Sequence, residues 1–461
     1  MKHSTRKTHP MNPLSLAVVG HTNTGKTSLL RTLLRDEGFG EVKNQAATTR
    51  HVEAATIHDG STPLITLYDT PGLEDAGGVL DWLETQSAPR LDGIERIEAF
   101  LASVAAKQTF EQEAKVLRQL LQSDAALYVI DAREPILPKY KDELTVLSWC
   151  AKPIMPVFNF LSQGDTQAWQ TMLARRSLHV SSGFDTVAFD FDSEMRLWAN
   201  LATMLPERTI PELLMNVRQR DWQVLDGEAR RLIAHFLLDA AAYQQEISND
   251  DPPEPTLLHM RDAVRQLERQ MQQQLLQQYR FYQETVAQTD WALKPFSQDP
   301  FDPELWKEYG IRTTSGAAAG ALIGLGIDAA ALGTSLGLGT AIGGILGGVL
   351  PNIHSISNTL TGRQVLHIDP AAITFLAARS MDLLAALQSR GHAAQHRIGI
   401  GNANTRPSHL PWTSNKLPPE LQKARSQTKW SSLNTGNEEA SRNARREAAN
   451  RLAQDLILQE T

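Results

Sequence analysis

Gly20-His21-Thr22-Asn23-Thr24-Gly25-Lys26-Thr27 fits the pattern GxxxxGK[ST] in full, and its flanks are those the pattern requires. An apolar run, LSLAVV at residues 14–19, leads into it, and SLLRTLLR at residues 28–35 follows with helical spacing. The two glycines let the backbone curl so that successive N–H groups point inward at phosphate oxygens. The N-terminus of the following helix adds its partial positive charge. In such a loop Lys26 reaches the terminal phosphates and Thr27 places its hydroxyl on Mg²⁺.

The residues downstream repeat the strand-then-helix rhythm. Further apolar runs stand at 64–69, 126–131, 153–160 and 186–189, with helical patterns between them. That alternation predicts a mostly parallel α/β sheet with crossover helices. Two short motifs fall at informative places: Thr48-Thr49-Arg50, and Asp69-Thr70-Pro71-Gly72 at the end of the run 64–69. In phosphoryl-transfer switches a loop threonine and a strand-end aspartate complete the Mg²⁺ shell. Gly72, without a side chain, lets its amide come close to a γ-phosphate.

The strings GHTNTGKTSLLRTLL, AATTRHVEA, LYDTPGLED and ALYVIDARE together resemble the Era/TrmE-type branch of the translation-factor-related P-loop GTPases. The resemblance covers residues 14–192, and the whole layout is similar to a bacterial family in which such a G domain precedes a C-terminal domain of undefined role. It implies GTP and GDP as ligands, Mg²⁺ as cofactor and hydrolysis of a phosphoric anhydride. By this likeness Gly20, Asn23, Thr24, Gly25, Lys26, Thr27 and Ser28 form the nucleotide loop. Thr27, Thr49 and Asp69 hold Mg²⁺, and Lys26, Thr49 and Gly72 act on the γ-phosphate. Asn23 matches the asparagine that helps hold K⁺ in potassium-dependent members. Leu73 stands where Ras-like proteins carry a catalytic glutamine. The resemblance therefore implies slow intrinsic hydrolysis, stimulated by K⁺, by pairing of two G domains or by a partner.

The guanine-reading motif NKxD departs from pattern. Residues 159–162 read Asn159-Phe160-Leu161-Ser162, so the asparagine is present while lysine and aspartate are missing; Asp165 falls three positions late. The best candidate for the last base-contacting loop is Phe191-Asp192-Ser193. The stretch between Gly72 and residue 125 is long and contains two helical patterns, GIERIEAFLASVA and FEQEAKVLRQLLQ, which suit either a partner-binding element or structural decoration.

Composition bounds the rest. The 461 residues suit two or three domains, and 41% hydrophobic with 21% charged residues exclude wholesale disorder. A net charge of −7 gives no general nucleic-acid footprint, and no RNA-binding pattern follows the G domain, so a nucleic-acid partner is not expected. One cysteine, Cys150, excludes an internal disulfide framework and reads as a packed small hydrophobe. Lys2, Arg6 and Lys7 precede an apolar run too short for a secretory leader, which places the G domain in the cytosol. His21, inside the phosphate loop, reads as a variable loop position.

The expected organisation is an N-terminal extension (1–13), a G domain (14–200), a helical domain (201–297), a glycine-rich hydrophobic segment plus amphipathic helix (298–399) and a polar, partly disordered tail (400–461) whose end, 437–459, forms a charged helix. The C-terminal region is thus expected to be all-α. Residues 222–290 carry apolar stripes, Leu232 to Tyr243 and Val264 to Val286. Gly316, Gly320 and Gly324 fall every fourth residue, as do Gly333 and Gly337, then Gly339, Gly343 and Gly347. On a helix that spacing makes a close-packing face. The 22 uncharged residues between Asp328 and Pro351 would rise roughly 33 Å, enough for a bilayer core of about 30 Å. Three readings stand: a membrane-inserting span or hairpin, a glycine-packed helical pair inside the protein, and interfacial docking. Function reads accordingly as a GTPase switch acting on a membrane-associated helical domain, or as a membrane-associated scaffold with a hydrolytically weak G-like domain.

Overall fold

The computed structural model describes residues 12–36, 39, 52–88, 90–161, 164–186, 190–248, 250–279, 296, 298–309, 327–330, 363–388, 411–412, 416–434 and 439–456. They fall into two compact units, dividing near Trp222.

In the first unit a six-stranded sheet runs β2-β3-β1-β4-β5-β6. Its strands are β1 (Leu14–Val19), β2 (Glu53–Asp59), β3 (Thr62–Asp69), β4 (Ala125–Asp131), β5 (Ile154–Asn159) and β6 (Ser182–Gly183). All neighbours pair in parallel except β2, which returns antiparallel on β3 through a tight turn at Gly60 (φ +57°). Strands β1, β4 and β5 are buried on both faces, as a parallel sheet covered by helices demands. Alternate residues serve opposite layers. Ala17, Val19, Tyr128, Ile130 and Phe158 pack under helices α2 (Ala76–Thr85), α3 (Gly93–Ala102), α4 (Glu111–Gln122), α5 (Pro138–Ser148) and α6 (Thr166–Ala174). Leu16, Val18, Leu127, Val129 and Val157 pack on the other face under α1 (Lys26–Leu34) and α7 (Phe191–Met204). The two helical patterns beyond Gly72 are α3 and α4, and α3 opens on a capping box of Asp92 and Glu95. Cys150 is buried, and burial pushes its thiol up to about 12, as suits an inert packed side chain.

Two strands differ from expectation. β2 was not legible as a strand because it is an exposed edge with only Ile57 buried. The last strand lies at Ser182–Gly183, ahead of the expected 186–189; Thr186 is not in a strand and 187–189 lie outside the described residues.

The second unit is mainly helical, as expected, and adds a three-stranded antiparallel sheet that the all-α reading lacked. Its strands are β7 (Gln244–Ser248), β8 (Ile327–Ala330) and β9 (Arg363–Ile368), in the order β7-β9-β8. β8 contains Asp328, so a helical glycine ladder does not run through that residue: its backbone pairs with His367 instead. The expected membrane-directed stretch thus begins with two residues, Ala329 and Ala330, that lie in β8, and the rest of 313–362 lies outside the described residues.

Helix α8 (Thr209–Ala242) is buried nearly all round from Ala229 onward. On α9 (Glu254–Gln278) the buried stripe runs Met260, Val264, Glu268, Met271 and Leu275, so the charged Glu268 replaces the expected Leu267. After α10 (Pro303–Glu308) comes α11 (Pro370–Gln388), the expected amphipathic helix. Among the described residues it alone is long and apolar enough to cross a membrane, yet 78% of its apolar window is buried within the protein. Helix α12 (Pro419–Arg425) and α13 (Glu439–Asp455), the latter at the place of the expected charged helix, follow. Arg445 of α13 pairs with Asp239 of α8, and Arg451 with Glu420.

A buried ion pair locks α9 to α11. Arg379 Nε lies 2.9 Å from Glu268 Oε1, and Arg379 Nη2 donates to the carbonyls of Phe296 and Gln298 at 2.6 and 2.8 Å. Burial pushes the Glu268 carboxyl up to about 7, with the Arg379 guanidinium opposing the rise. A carboxyl so raised holds its proton more tightly folded than unfolded, so its contribution to stability falls as pH rises from the ordinary 4.5 through about 7. Removing one partner of such a pair costs about 3–5 kcal/mol because the other charge is left buried. Arg379→Ala is therefore expected to lower the melting temperature of the full-length protein more at about pH 8, where Glu268 is charged, than at about pH 5.5, where it is neutral. Equal losses at both would show that Arg379 does not act by offsetting that charge.

Candidate functional site

The sheet order places β1 between β3 and β4, so the chain winds to one side after β1 and to the other after β3. At such a switch point a crevice opens beyond the carboxyl ends of the strands, and the loop 20–25 fills it. Gly20 (φ +139°), Asn23 (φ +65°) and Gly25 (φ +92°) take left-handed conformations that turn the loop back on itself before α1 begins at Lys26. A Cβ on Gly25 would stand 2.2 Å from Asn159 Nδ2, so only glycine fits there. The Asn23 and Ser28 side chains are exposed, while Thr24 is buried and donates to His21 O at 3.0 Å.

Lys26 is 8% exposed, and its Nζ donates to Gly20 O at 3.1 Å and His21 O at 2.8 Å. Burial pushes the ammonium down to about 8, against the pull of Asp69, Glu143 and Glu74. Asp69, at the end of β3, is 1% exposed. Its Oδ2 accepts a 2.6 Å hydrogen bond from Thr27 Oγ1, and its Oδ1 is buried with no hydrogen-bond partner among the described residues. Burial is also what raises its carboxyl above the ordinary range. A buried, under-satisfied carboxylate oxygen beside a hydroxyl is a hard-oxygen donor set that fits Mg²⁺. Thr49, the expected third ligand, lies outside the described residues.

The segment 70–73 is fastened to β1 and the loop. Thr70 Oγ1 donates to Val18 O at 2.7 Å, and Leu73 N to Gly20 O at 3.4 Å. A Cβ on Gly72 would stand 2.8 Å from Thr22 N, so the backbones touch there. The Leu73 side chain is fully buried and carries no polar group.

Asn159 ties three segments together from a fully buried position. Its Nδ2 donates to Thr24 O at 3.1 Å, and its Oδ1 accepts from Phe160 N (2.9 Å), Thr186 N (3.0 Å) and Thr186 Oγ1 (3.0 Å). The remaining base-side candidates lie at helix starts. Asp165, three positions late in the sequence, caps α6 by accepting from Gln167 N at 2.9 Å. Phe191, Asp192 and Ser193 form the first turn of α7, capped by Asp190. The segment that meets Asn159 is instead Asp185-Thr186, where Asp185 Oδ2 accepts from Leu161 N at 2.9 Å. Phe160, at the position of the missing lysine, is left-handed (φ +55°) and carries the Arg133 guanidinium 3.9 Å above its ring. Arg133 is in turn held bidentately by Asp131 at 2.9 and 2.6 Å. Sequence spacing gave no signal for this stack, since residues 133 and 160 meet only through the pairing of β4 with β5.

Comparison with known proteins agrees with this geometry. Residues 15–160 match the family model described as "50S ribosome-binding GTPase". GTPase Era of Campylobacter jejuni is 35% identical over 89 residues, 19% of this chain and 30% of that protein. tRNA modification GTPase MnmE of Rhodospirillum rubrum is 30% identical over 180 residues, 38% of this chain and 36% of that protein. GTPase Der of Herpetosiphon aurantiacus is 32% identical over 143 residues, 30% of this chain and 31% of that protein. The chain thus spans about a third of the length of these relatives. Residues 170–454 match a second model, "Domain of unknown function (DUF3482)", over more than half of the chain. A P-loop GTPase domain joined to that region describes the whole, and the chain belongs to the DUF3482 family.

Proposed function

We propose that the protein binds GTP and GDP and hydrolyses GTP slowly, acting as a nucleotide-dependent switch on its helical C-terminal region. The observation that carries this reading is the arrangement of Lys26, Thr27 and Asp69: a buried ammonium on the loop's own carbonyls, beside a hydroxyl and a carboxylate with one unpartnered buried oxygen. Phosphate oxygens entering the loop exchange those carbonyls for charge-assisted contacts with Lys26. Thr27, Asp69 and Thr49 are the residues to hold Mg²⁺, which when bound supplies charge neutralisation on the phosphates. The closeness of the Gly72 backbone to Thr22 supports Gly72 as the residue whose amide is to meet the γ-phosphate.

The burial of Leu73 supports slow intrinsic turnover, because no side chain there can orient water. Stimulation by K⁺ through Asn23, or by pairing of two G domains, is the proposed remedy. Single-turnover GTP hydrolysis by wild type is expected to exceed that of Lys26→Ala, and to rise in K⁺ over Na⁺ or with protein concentration. Traces indistinguishable between wild type and Lys26→Ala would exclude the hydrolytic reading. Equal rates in Na⁺ and K⁺ across a wide concentration range would exclude both proposed stimulants.

The proposed partner is the cytoplasmic face of the inner membrane or a protein in it, not nucleic acid. The support is the sequence 331–350, which continues beyond β8 for 20 residues without a charge. If that stretch inserts, membranes of expressing cells keep the protein through a carbonate wash, and complete release into the supernatant would overturn insertion.

A further inference from the structure

His21 points away from the phosphate-binding concavity and into a polar network that the proposed reaction does not use. Its Nε2 lies 2.9 Å from Lys139 Nζ, and its Nδ1 lies 2.7 Å from Glu143 Oε1 and 3.0 Å from Leu73 O. An ammonium can only donate, so Nε2 accepts and Nδ1 carries the hydrogen. Both groups facing Nδ1, a carboxylate and a carbonyl, are acceptors, so one tautomer satisfies all three contacts. Glu143 is fully buried, and its second oxygen accepts from Tyr128 Oη at 2.7 Å, which fixes the carboxylate from β4. The Tyr140 ring packs edge-on against the imidazole with centroids 5.7 Å apart. Both ring nitrogens are therefore held from α5, whose Glu143 is fixed by β4, while Nδ1 also holds the carbonyl of Leu73, the residue after Gly72.

We propose that His21, braced by Glu143 and Lys139, is a positioning residue that fixes the Leu73 carbonyl and so aims the Gly72 amide at the γ-phosphate. This rests on the nucleotide-switch reading above. The imidazole contact falls on the residue after Gly72, so its loss is expected to bear on GTP-dependent properties more than on GDP-dependent ones. Asparagine can present an N–H close to the place of Nδ1, whereas alanine presents none.

The test uses the full-length protein and three variants, His21→Ala, His21→Asn and Glu143→Gln, with GDP and GTPγS affinities and single-turnover GTP hydrolysis measured for each. In His21→Ala the rate is expected to fall about tenfold, the upper effect of one neutral hydrogen bond. Its preference for GTPγS over GDP falls as well, while GDP affinity stays within about threefold of wild type. Glu143→Gln shifts the same quantities in the same direction, and His21→Asn restores most of both. A His21→Ala protein with wild-type rate and wild-type GTPγS preference would overturn the proposal. So would loss of GDP affinity in step with the rate and without rescue by asparagine, which marks a purely structural role. If wild type and Lys26→Ala turn over alike, the hydrolytic reading fails separately, and the GTPγS-to-GDP preference decides the brace alone: no change in His21→Ala overturns it.

Discussion

Burying the ammonium of Lys26 is the constraint around which the first unit is arranged. A cation taken out of water needs partners of opposite charge or fixed dipoles, and here they converge from three directions. The carbonyls of Gly20 and His21 face it because left-handed residues curl the loop inward. Asp69 approaches because β3 lies directly beside β1 in parallel register, Val18 against Asp69. Asn159, at the end of β5, holds the carbonyl of Thr24 and so fixes the loop that carries Lys26. Each partner stands at the carboxyl end of a different strand, so the sheet order is what assembles the site.

The same economy of partners explains the loop's outer face. His21 and Lys26 are five residues apart, yet the backbone sends one side chain into the concavity and the other into α5. The imidazole thereby links the loop, the residue after Gly72 and the buried Glu143. In the second unit Arg379 and Glu268 play a comparable part, a charged pair inside an otherwise apolar helix packing. That pair also separates α11 from a membrane span, for a guanidinium fixed by a carboxylate and two carbonyls belongs to a protein interior.

How much was legible in the sequence follows from how local each feature is. The phosphate loop, the strand ending in Asp69 and the helices α3, α4, α9 and α11 were legible, because glycine spacing, caps and apolar periodicity act within a few residues. The antiparallel β2 was hidden by its exposed edge position, although Asp59-Gly60 carries a hairpin signal. The three-stranded sheet joins residues 244–248 to 363–368, a pairing that no local pattern encodes. For the same reason Phe160 and Arg133, and His21 and Glu143, were met only in the fold. Glu268 was missed differently: periodicity counts apolar residues, and a buried carboxylate with a buried cation opposite is invisible to it.

The base side of the site is where this chain departs furthest from the G-domain pattern, with Asn159 retained, Phe160 at the lysine position and Asp165 spent on a helix cap. Its selectivity is therefore the sharpest test of the guanine-nucleotide reading. Displacement of a fluorescent GDP analogue from the full-length protein by GTP and by ATP, in Mg²⁺, measures it directly. The account predicts that GTP displaces the analogue at a concentration at least about tenfold lower than ATP, a difference of roughly 1.4 kcal/mol. Equal displacement by the two nucleotides, or a preference for ATP, would contradict it.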